Sequence, residues 1–213
     1  MLRSTSTPTP TLLANNLSFS YPQGPVFANV SLHAPCGVSL VRGGDGCGKT
    51  TLLRVLAGDL PAGSGTLQLG GICFKEQPLA YKAQVFWMDF KTAAFDQITA
   101  QAFWQELANK YPNFDPQRLS TLIGGLSLSE HQHKALFMLS TGSKRKVWLA
   151  GAFASGAALT LIDDPFAALD KPSIGFVLAQ IKAAAQEAAR AWVVAHFDAL
   201  GDVPVATTLD LGD

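Results

Sequence analysis

The sequence predicts an α/β fold, a largely parallel core that carries an antiparallel β lobe and a helical insert. Three observations predict it. Residues 38–57 read as a strand, a glycine-rich loop and a helix in succession. Before residue 75, short apolar runs alternate and are separated by turn residues, as in hairpins. After residue 98, helical spacing comes first, and then strand and helix take turns to the end, the pattern of an α/β core.

Taken in order, residues 1–11 are rich in Ser, Thr and Pro and are expected to form a loose tail, because they lack the apolar stretch of a secretion signal. Leu12–Ser20 is a first strand, Tyr21-Pro22-Gln23-Gly24-Pro25 a turn and Val26–Ala34 a second strand. Val38–Val41 is a third, and Leu52–Ala57 continues as a helix stopped by Gly58. Thr66–Leu69 and Ile72–Phe74 flank Gly70-Gly71, a hairpin signal. Gln84–Met88 is a further strand. Helices are expected over Thr99–Lys110, Asp115–Ile123 (Asp-Pro as cap and first residue), Glu130–Leu139 and Ser143–Ala154. Leu159–Asp163 is a buried strand ending in acid, Ser173–Arg190 a long Ala-rich helix, and Ala191–His196 and Val205–Leu209 the last strands.

A chain of 213 residues with 48% hydrophobic and 15% charged residues can bury a large core. The formal charge is zero, 16 basic against 16 acidic residues, so nothing favours nucleic acid or an anionic membrane surface as partner. Cys36, Cys47 and Cys73 are odd in number and widely spaced, which predicts neither a disulfide framework nor a metal site. The uncharged run Val147–Ile162 is short for a membrane span and is broken by Gly151, Ser155 and Gly156, so a soluble chain is expected. The aromatics from Phe86 to Phe114 are either the core of the helical part or a groove for a partner. Helical spacing favours the core for the set, and Trp87, Phe90 and Phe95 are the better partner candidates.

Chemistry concentrates in a few places. Gly43-Gly44-Asp45-Gly46-Cys47-Gly48-Lys49-Thr50-Thr51 fits the phosphate-binding loop G-x-x-x-x-G-K-[ST]. Its glycines let backbone N–H groups fold into a nest, and the helix that follows turns its positive end on the same anion. Lys49 is expected to reach the β- and γ-phosphates and the Thr50 hydroxyl to hold Mg²⁺. Cys47 is read as a small residue there, with the reactivity of an exposed thiol as the alternative. Asp163 and Asp164 end an apolar strand, where ligands of α/β sheets sit. Asp163 can hold Mg²⁺ and Asp164 can orient or deprotonate water, against the plainer reading of a helix cap. Ser140, Thr141 and Gly142 open a helix with Lys144, Arg145 and Lys146; spacing alone favours an ordinary capped start over a second anion site. His196 at a strand end and Tyr21 before the loop strand are, singly, more often structural than functional.

Together and in this order, these motifs resemble the ATP-binding cassette (ABC) ATPases over nearly the whole chain. Gly43–Thr50 resembles Walker A, Leu139-Ser140-Thr141-Gly142-Ser143 the signature usually read LSGGQ, Leu161-Ile162-Asp163 Walker B and Ala168-Leu169-Asp170 the D-loop. His196 resembles the switch histidine, and Tyr21 the aromatic that stacks on adenine. The compact length is similar to the small single-cassette transporter ATPases, the cytochrome c biogenesis exporters among them.

The resemblance implies a P-loop NTPase core with one cassette over residues 12–213 and a helical insert over about 91–145. It implies ATP and Mg²⁺ as cofactors, with Lys49, Asp164 and His196 catalytic and Thr50 and Asp163 on the metal. A second copy or a related cassette would complete each ATP site with Ser140, Thr141 and Gly142, and a separate integral membrane transporter subunit would be driven. The chain would lie in the cytoplasm, attached through that partner to the inner face of the membrane, with no nucleic acid involved. Three departures stand out: Asp164 where Glu is usual, Thr141 and Ser143 within the signature, and no clear match in residues 87–91 to the usual Gln. A carboxylate one methylene shorter predicts slow hydrolysis. The alternative is a nucleotide-gated regulatory module with little or no turnover.

Overall fold

The computed structural model describes residues 11–212, so the predicted tail at 1–11 lies almost wholly outside the described residues. Two sheets form. In the first, β1 (Leu12–Tyr21) lies between β2 (Gly24–Ala34) and β4 (Ser64–Leu69), and β4 turns through Gly70-Gly71 into β5 (Ile72–Cys73), all antiparallel. The second is parallel throughout and runs in the order β6 (Val85–Phe86), β7 (Leu159–Asp163), β8 (Ala191–His196), β3 (Gly37–Arg42), β9 (Val205–Asp210).

The parallel strands read as continuous apolar runs because both of their faces are buried. Alternate residues divide between two cores. Val38, Leu40, Ile162, Trp192 and Val194 face one core, and Val41, Leu161, Val193 and Ala195 face the other. The second core is closed by α1 (Lys49–Leu56) and the antiparallel sheet. The first is closed by α3 (Ala100–Lys110), α4 (Pro116–Gly125), α5 (Thr141–Ala154) and α6 (Lys171–Ala184). Every residue of α5 from Val147 to Ala154 is buried, which marks it as the central helix of that layer. Its Trp148 sits edge-on to Phe103 at 4.4 Å and to Phe95 at 5.8 Å.

Four expectations are corrected. Glu130–Leu139 is not a helix but two single 3₁₀ turns, at Ser129–His131 and Leu136–Met138. Its backbone is taken up across the chain instead: the N–H of Leu136 donates to Ile98 at 2.9 Å and that of Phe137 to Asp96 at 3.0 Å. The Ala-rich helix begins two residues early at Lys171, capped by Asp170, and ends at Ala184 rather than Arg190. Beyond it, Glu187 pairs with Arg118 at 2.7 Å and accepts from the Trp192 ring N–H at 3.1 Å, partners that outweigh helix propensity. The strand expected over Gln84–Met88 pairs only at Val85 and Phe86, and a short helix, α2 (Pro78–Ala83), precedes it. Phe95, a partner candidate, packs on Phe103 and Trp148 in the core.

No helix among the described residues is long and apolar enough to cross a membrane.

Candidate functional site

The site lies where β7, β8 and β3 end side by side. In register, Asp163 of β7 is level with Ala195 of β8, and His196 is level with Arg42 of β3, from which the glycine loop departs. Parallel pairing therefore delivers the acid pair, the histidine and the loop to one edge, beyond the carboxyl ends of the strands. A cavity of about 510 Å³ opens there. Its walls include Gly46, Lys49, Thr50, Asp163, Asp164 and His196.

The loop needs its glycines. Gly46 and Gly48 have φ of 82° and 100°, a region open mainly to glycine. A Cβ on Gly48 would stand 2.6 Å from the Val26 side chain, and one on Gly43 would stand 2.5 Å from Cys47 Sγ and 2.7 Å from the Gly212 carbonyl. The nest is thus packed from behind, while nothing lies within 4 Å of a Cβ built on Gly46. Gly44 N–H donates to the Gly212 carbonyl at 3.0 Å, which ties the loop to the residues after β9. Lys49 Nζ lies across the loop, donating to the carbonyls of Gly43 and Gly44 at 2.7 and 2.6 Å. Cys47 Sγ is 4.0 Å from that ammonium.

Thr50 Oγ1 donates to Asp163 Oδ2 at 2.6 Å. A hydroxyl and a carboxylate so close form the hard oxygen pair that a Mg²⁺ ion takes. Burial pushes the Asp163 carboxyl above its ordinary value, and the Thr50 bond opposes that rise only in part. Asp164 follows at φ 43°, a left-handed conformation that aspartate tolerates better than most residues. Its Oδ1 stands 3.9 Å from His196 Nε2. The His196 ring is nearly buried, rests edge-on to Phe166 at 5.2 Å, and has Nδ1 held by the Asp198 backbone, so Nε2 is the nitrogen that faces Asp164. Nest, cation, hydroxyl–carboxylate pair and a second carboxylate beside an imidazole fit a nucleotide triphosphate with Mg²⁺.

Not every expected residue comes to this cavity. Tyr21 stands at its rim, 37% exposed, its hydroxyl 3.4 Å from Thr51 Oγ1. Ser140, Thr141 and Gly142 lie apart from the cavity wall, at the start of α5. Ser140 Oγ accepts from Ser143 N–H at 3.1 Å, so it is the helix cap. Gly142 packs against the loop after β7: a Cβ there would be 2.4 Å from the Ala168 carbonyl. Lys146 pairs with Asp170 at 2.7 Å.

The sequence shows Arg145 only as one of three basic residues, with Lys144 and Lys146, on a helix whose start spacing alone reads as an ordinary cap. The structure turns it inward, onto the Asp163–Asp164 backbone and over the Phe90 ring. Asp89, Phe90 and Lys91, where the family Gln had no clear match, line the cavity, as do Trp87, Arg54 and Phe197. The sequence singles out Trp87 and Phe90 as partner candidates and residues 87–91 as the stretch without the usual Gln, and carries no signal for Arg54 or Phe197.

The sequence profile of the family described as "ABC transporter" matches residues 27–167. The chain is 31% identical over 211 residues to the cytochrome c biogenesis ATP-binding export protein CcmA of Xanthomonas axonopodis pv. citri, covering 98% of this chain and 97% of that protein. It is 33% identical over 162 residues to the taurine import ATP-binding protein TauB of Pseudomonas fluorescens, covering 75% of this chain and 61% of that one. Among solved structures, the ATP-binding subunit of an ABC transporter superposes with a TM-score of 0.78 at 20% identity, over 88% of this chain and 79% of that one. A dimeric ATP-binding cassette bound to ADP and Pi superposes with a TM-score of 0.73 at 20% identity, over 88% of each chain.

Proposed function

The chain belongs to the ABC transporter family as an ATP-binding subunit, and we propose that it binds ATP–Mg²⁺ at the cavity beyond β3, β7 and β8 and hydrolyses it as two copies close. The observation that carries this reading is the Thr50–Asp163 bond of 2.6 Å beside a glycine nest with Lys49 inside it. In this reading residues 43–51 cradle the phosphates, and Lys49 leaves the loop carbonyls for the β- and γ-oxygens. Thr50 and Asp163 hold Mg²⁺, and Tyr21 stacks on adenine from the rim. Bound there, the nucleotide supplies a phosphoanhydride under attack by water. Asp164 would orient that water and take its proton as the bond to the γ-phosphorus forms and the β–γ P–O bond breaks to release ADP, and His196 Nε2, 3.9 Å from Asp164 Oδ1, would face the γ-phosphate.

Ser140, Thr141 and Gly142 lie apart from the wall of their own chain's cavity, and in this reading they serve the site of a second copy, or of a related cassette, packed head to tail. The helical insert over about 91–145 carries them. Closure and reopening of that dimer would drive a separate membrane-spanning subunit, which places the chain on the cytoplasmic side. Relatives include both an exporter and an importer by name. The 31% identity spanning nearly the whole length of CcmA favours export in cytochrome c biogenesis. Asp164 in place of Glu makes turnover slow.

The test is Lys49→Ala. Removing the cation should weaken ATP–Mg²⁺ binding by about ten-fold or more in calorimetry and abolish turnover. Parent-like affinity and turnover would refute the site.

A further inference from the structure

We propose that Arg145 is a positioning residue for hydrolysis, one that fixes the Asp164 carboxylate from the signature helix. The inference rests on the reading of Asp164 as the group that orients water. Arg145 lies on α5 one residue after Lys144 and five after the Ser140 cap, so it moves with the helix that carries Ser140–Gly142. Its Nη1 donates to the Asp164 carbonyl and stands 3.5 Å from the Asp163 carbonyl. The guanidinium carbon lies 4.4 Å from the centre of the Phe90 ring. Arg145 Nε is buried with no hydrogen-bond partner, so the group is seated by these contacts at a cost in desolvation.

These contacts bear on the geometry of a single residue. The Asp164 peptide is held from both sides: its N–H donates to the Ala195 carbonyl at 2.9 Å, beside His196, and its carbonyl accepts from Arg145. A left-handed aspartate between the end of β7 and the turn at residues 165–168 persists only when its surroundings over-determine it. The clamp on the backbone fixes the Cα–Cβ direction of Asp164, and so limits the positions that its short carboxylate reaches beside His196. Arg145 therefore joins three parts at one point: the helix presenting Ser140–Gly142, the loop around Phe90 that lacks the expected Gln, and the catalytic end of β7. A flat, fork-shaped cation suits this, since it can donate at its edge and stack with its face.

The experiment is a double-mutant cycle read in kcat and KM for ATP, with ATP–Mg²⁺ affinity measured beside it. Arg145→Gln should lower kcat by about ten-fold or more while KM and affinity stay within about three-fold, because the loss falls on the transition state alone. Arg145→Lys, which keeps a donor but not the flat stack, should fall between. In an Asp164→Asn background, Arg145→Gln should cost less than about two-fold, because the two act as one unit. Phe90→Leu removes only the stack and should lower kcat several-fold at constant KM. This variant keeps the inference open to refutation should Arg145→Gln not fold.

Full kcat in Arg145→Gln and Phe90→Leu overturns the inference. So does an equal loss in the Asp164→Asn background, or a loss in KM and affinity that matches the loss in kcat. A parent-like rate in Asp164→Asn, or no turnover in the parent, instead overturns the hydrolytic reading on which it rests.

Discussion

At the scale of single residues, the carboxylate that best suits Mg²⁺ is the one least comfortable in the fold. Burial pushes Asp163 upward, so the native protein holds that proton more tightly than the unfolded chain does. Its charge then costs stability at neutral pH, fully above the raised pKa and not at all below the ordinary carboxylate value. Asp163→Asn should therefore raise Tm, by about 2 °C or more at pH 8. The gain should shrink as the pH is lowered toward the ordinary carboxylate value. Melting curves of the two proteins across that range check the sign, and a lower Tm for the Asn variant at pH 8 contradicts it. The same variant should lose Mg²⁺-dependent ATP affinity.

Asp164 is constrained in another way. Its left-handed backbone suits Asp better than Glu, at a cost of about 1–2 kcal/mol for an ordinary residue. Asp164→Glu should gain reach toward water and raise turnover while lowering Tm, and Asp164→Asn should cut turnover about 10²-fold with ATP still bound. Turnover unaffected by Asn would place the base elsewhere. Lys49, Thr50, Asp163 and Asp164 were legible as candidates from local motifs in the sequence, and His196 only from the order of the motifs along the chain. The inward turn of Arg145 was not, because its target is a pair of main-chain carbonyls from a strand 18 residues away.

At the scale of elements, the fold was legible wherever periodicity and caps agreed. Asp115 caps its helix as the sequence suggested, accepting an N–H bond at 2.9 Å, and Thr99, expected as the first residue of its helix, is the cap of α3, accepting at 3.1 Å. It failed where a segment's bonds are tertiary. Arg190 shows why. Expected as the end of an Ala-rich helix, it instead turns under α5 and donates to the carbonyls of Ala157, Phe153 and Ala152 and to Thr160 Oγ1. It thereby satisfies the last carbonyls of α5, where a cation also meets the negative helix end. Burial lowers its pKa to about 10, yet it stays charged at neutral pH.

No local pattern announces such a role. Arg190→Ala strands several buried acceptors and should cost about 3–5 kcal/mol in urea unfolding. The surviving folded protein should bind ATP normally, since Arg190 lies at the opposite end of β8 from His196. A loss below about 0.5 kcal/mol, the scale of an ordinary surface change, would contradict the capping role.

At the scale of the whole molecule, the head-to-tail reading starts from two sets of residues that do not meet within one chain. The phosphate loop, acid pair and histidine line one cavity, and the exposed Ser140–Thr141 corner lies outside it. Spacing alone favoured a plain capped helix at that corner, and Ser140 is indeed a cap. Only the order of motifs along the chain pointed to a second role. Gly142→Asp is a poor probe of that role, because any Cβ there strikes the Ala168 carbonyl of the same chain.

Thr141→Asp is cleaner. The side chain is exposed, and a negative charge in the first turn favours α5 through the helix dipole. It would nonetheless oppose the γ-phosphate of a partner's ATP. The decisive measurement is molecular mass by light scattering, with and without ATP–Mg²⁺, in an Asp164→Asn background that retains bound nucleotide. The head-to-tail account predicts a monomer that doubles in mass on adding ATP–Mg²⁺, and a Thr141→Asp derivative that binds ATP yet stays monomeric. A mass unchanged by ATP, or a Thr141→Asp derivative that dimerises like its parent, would contradict it.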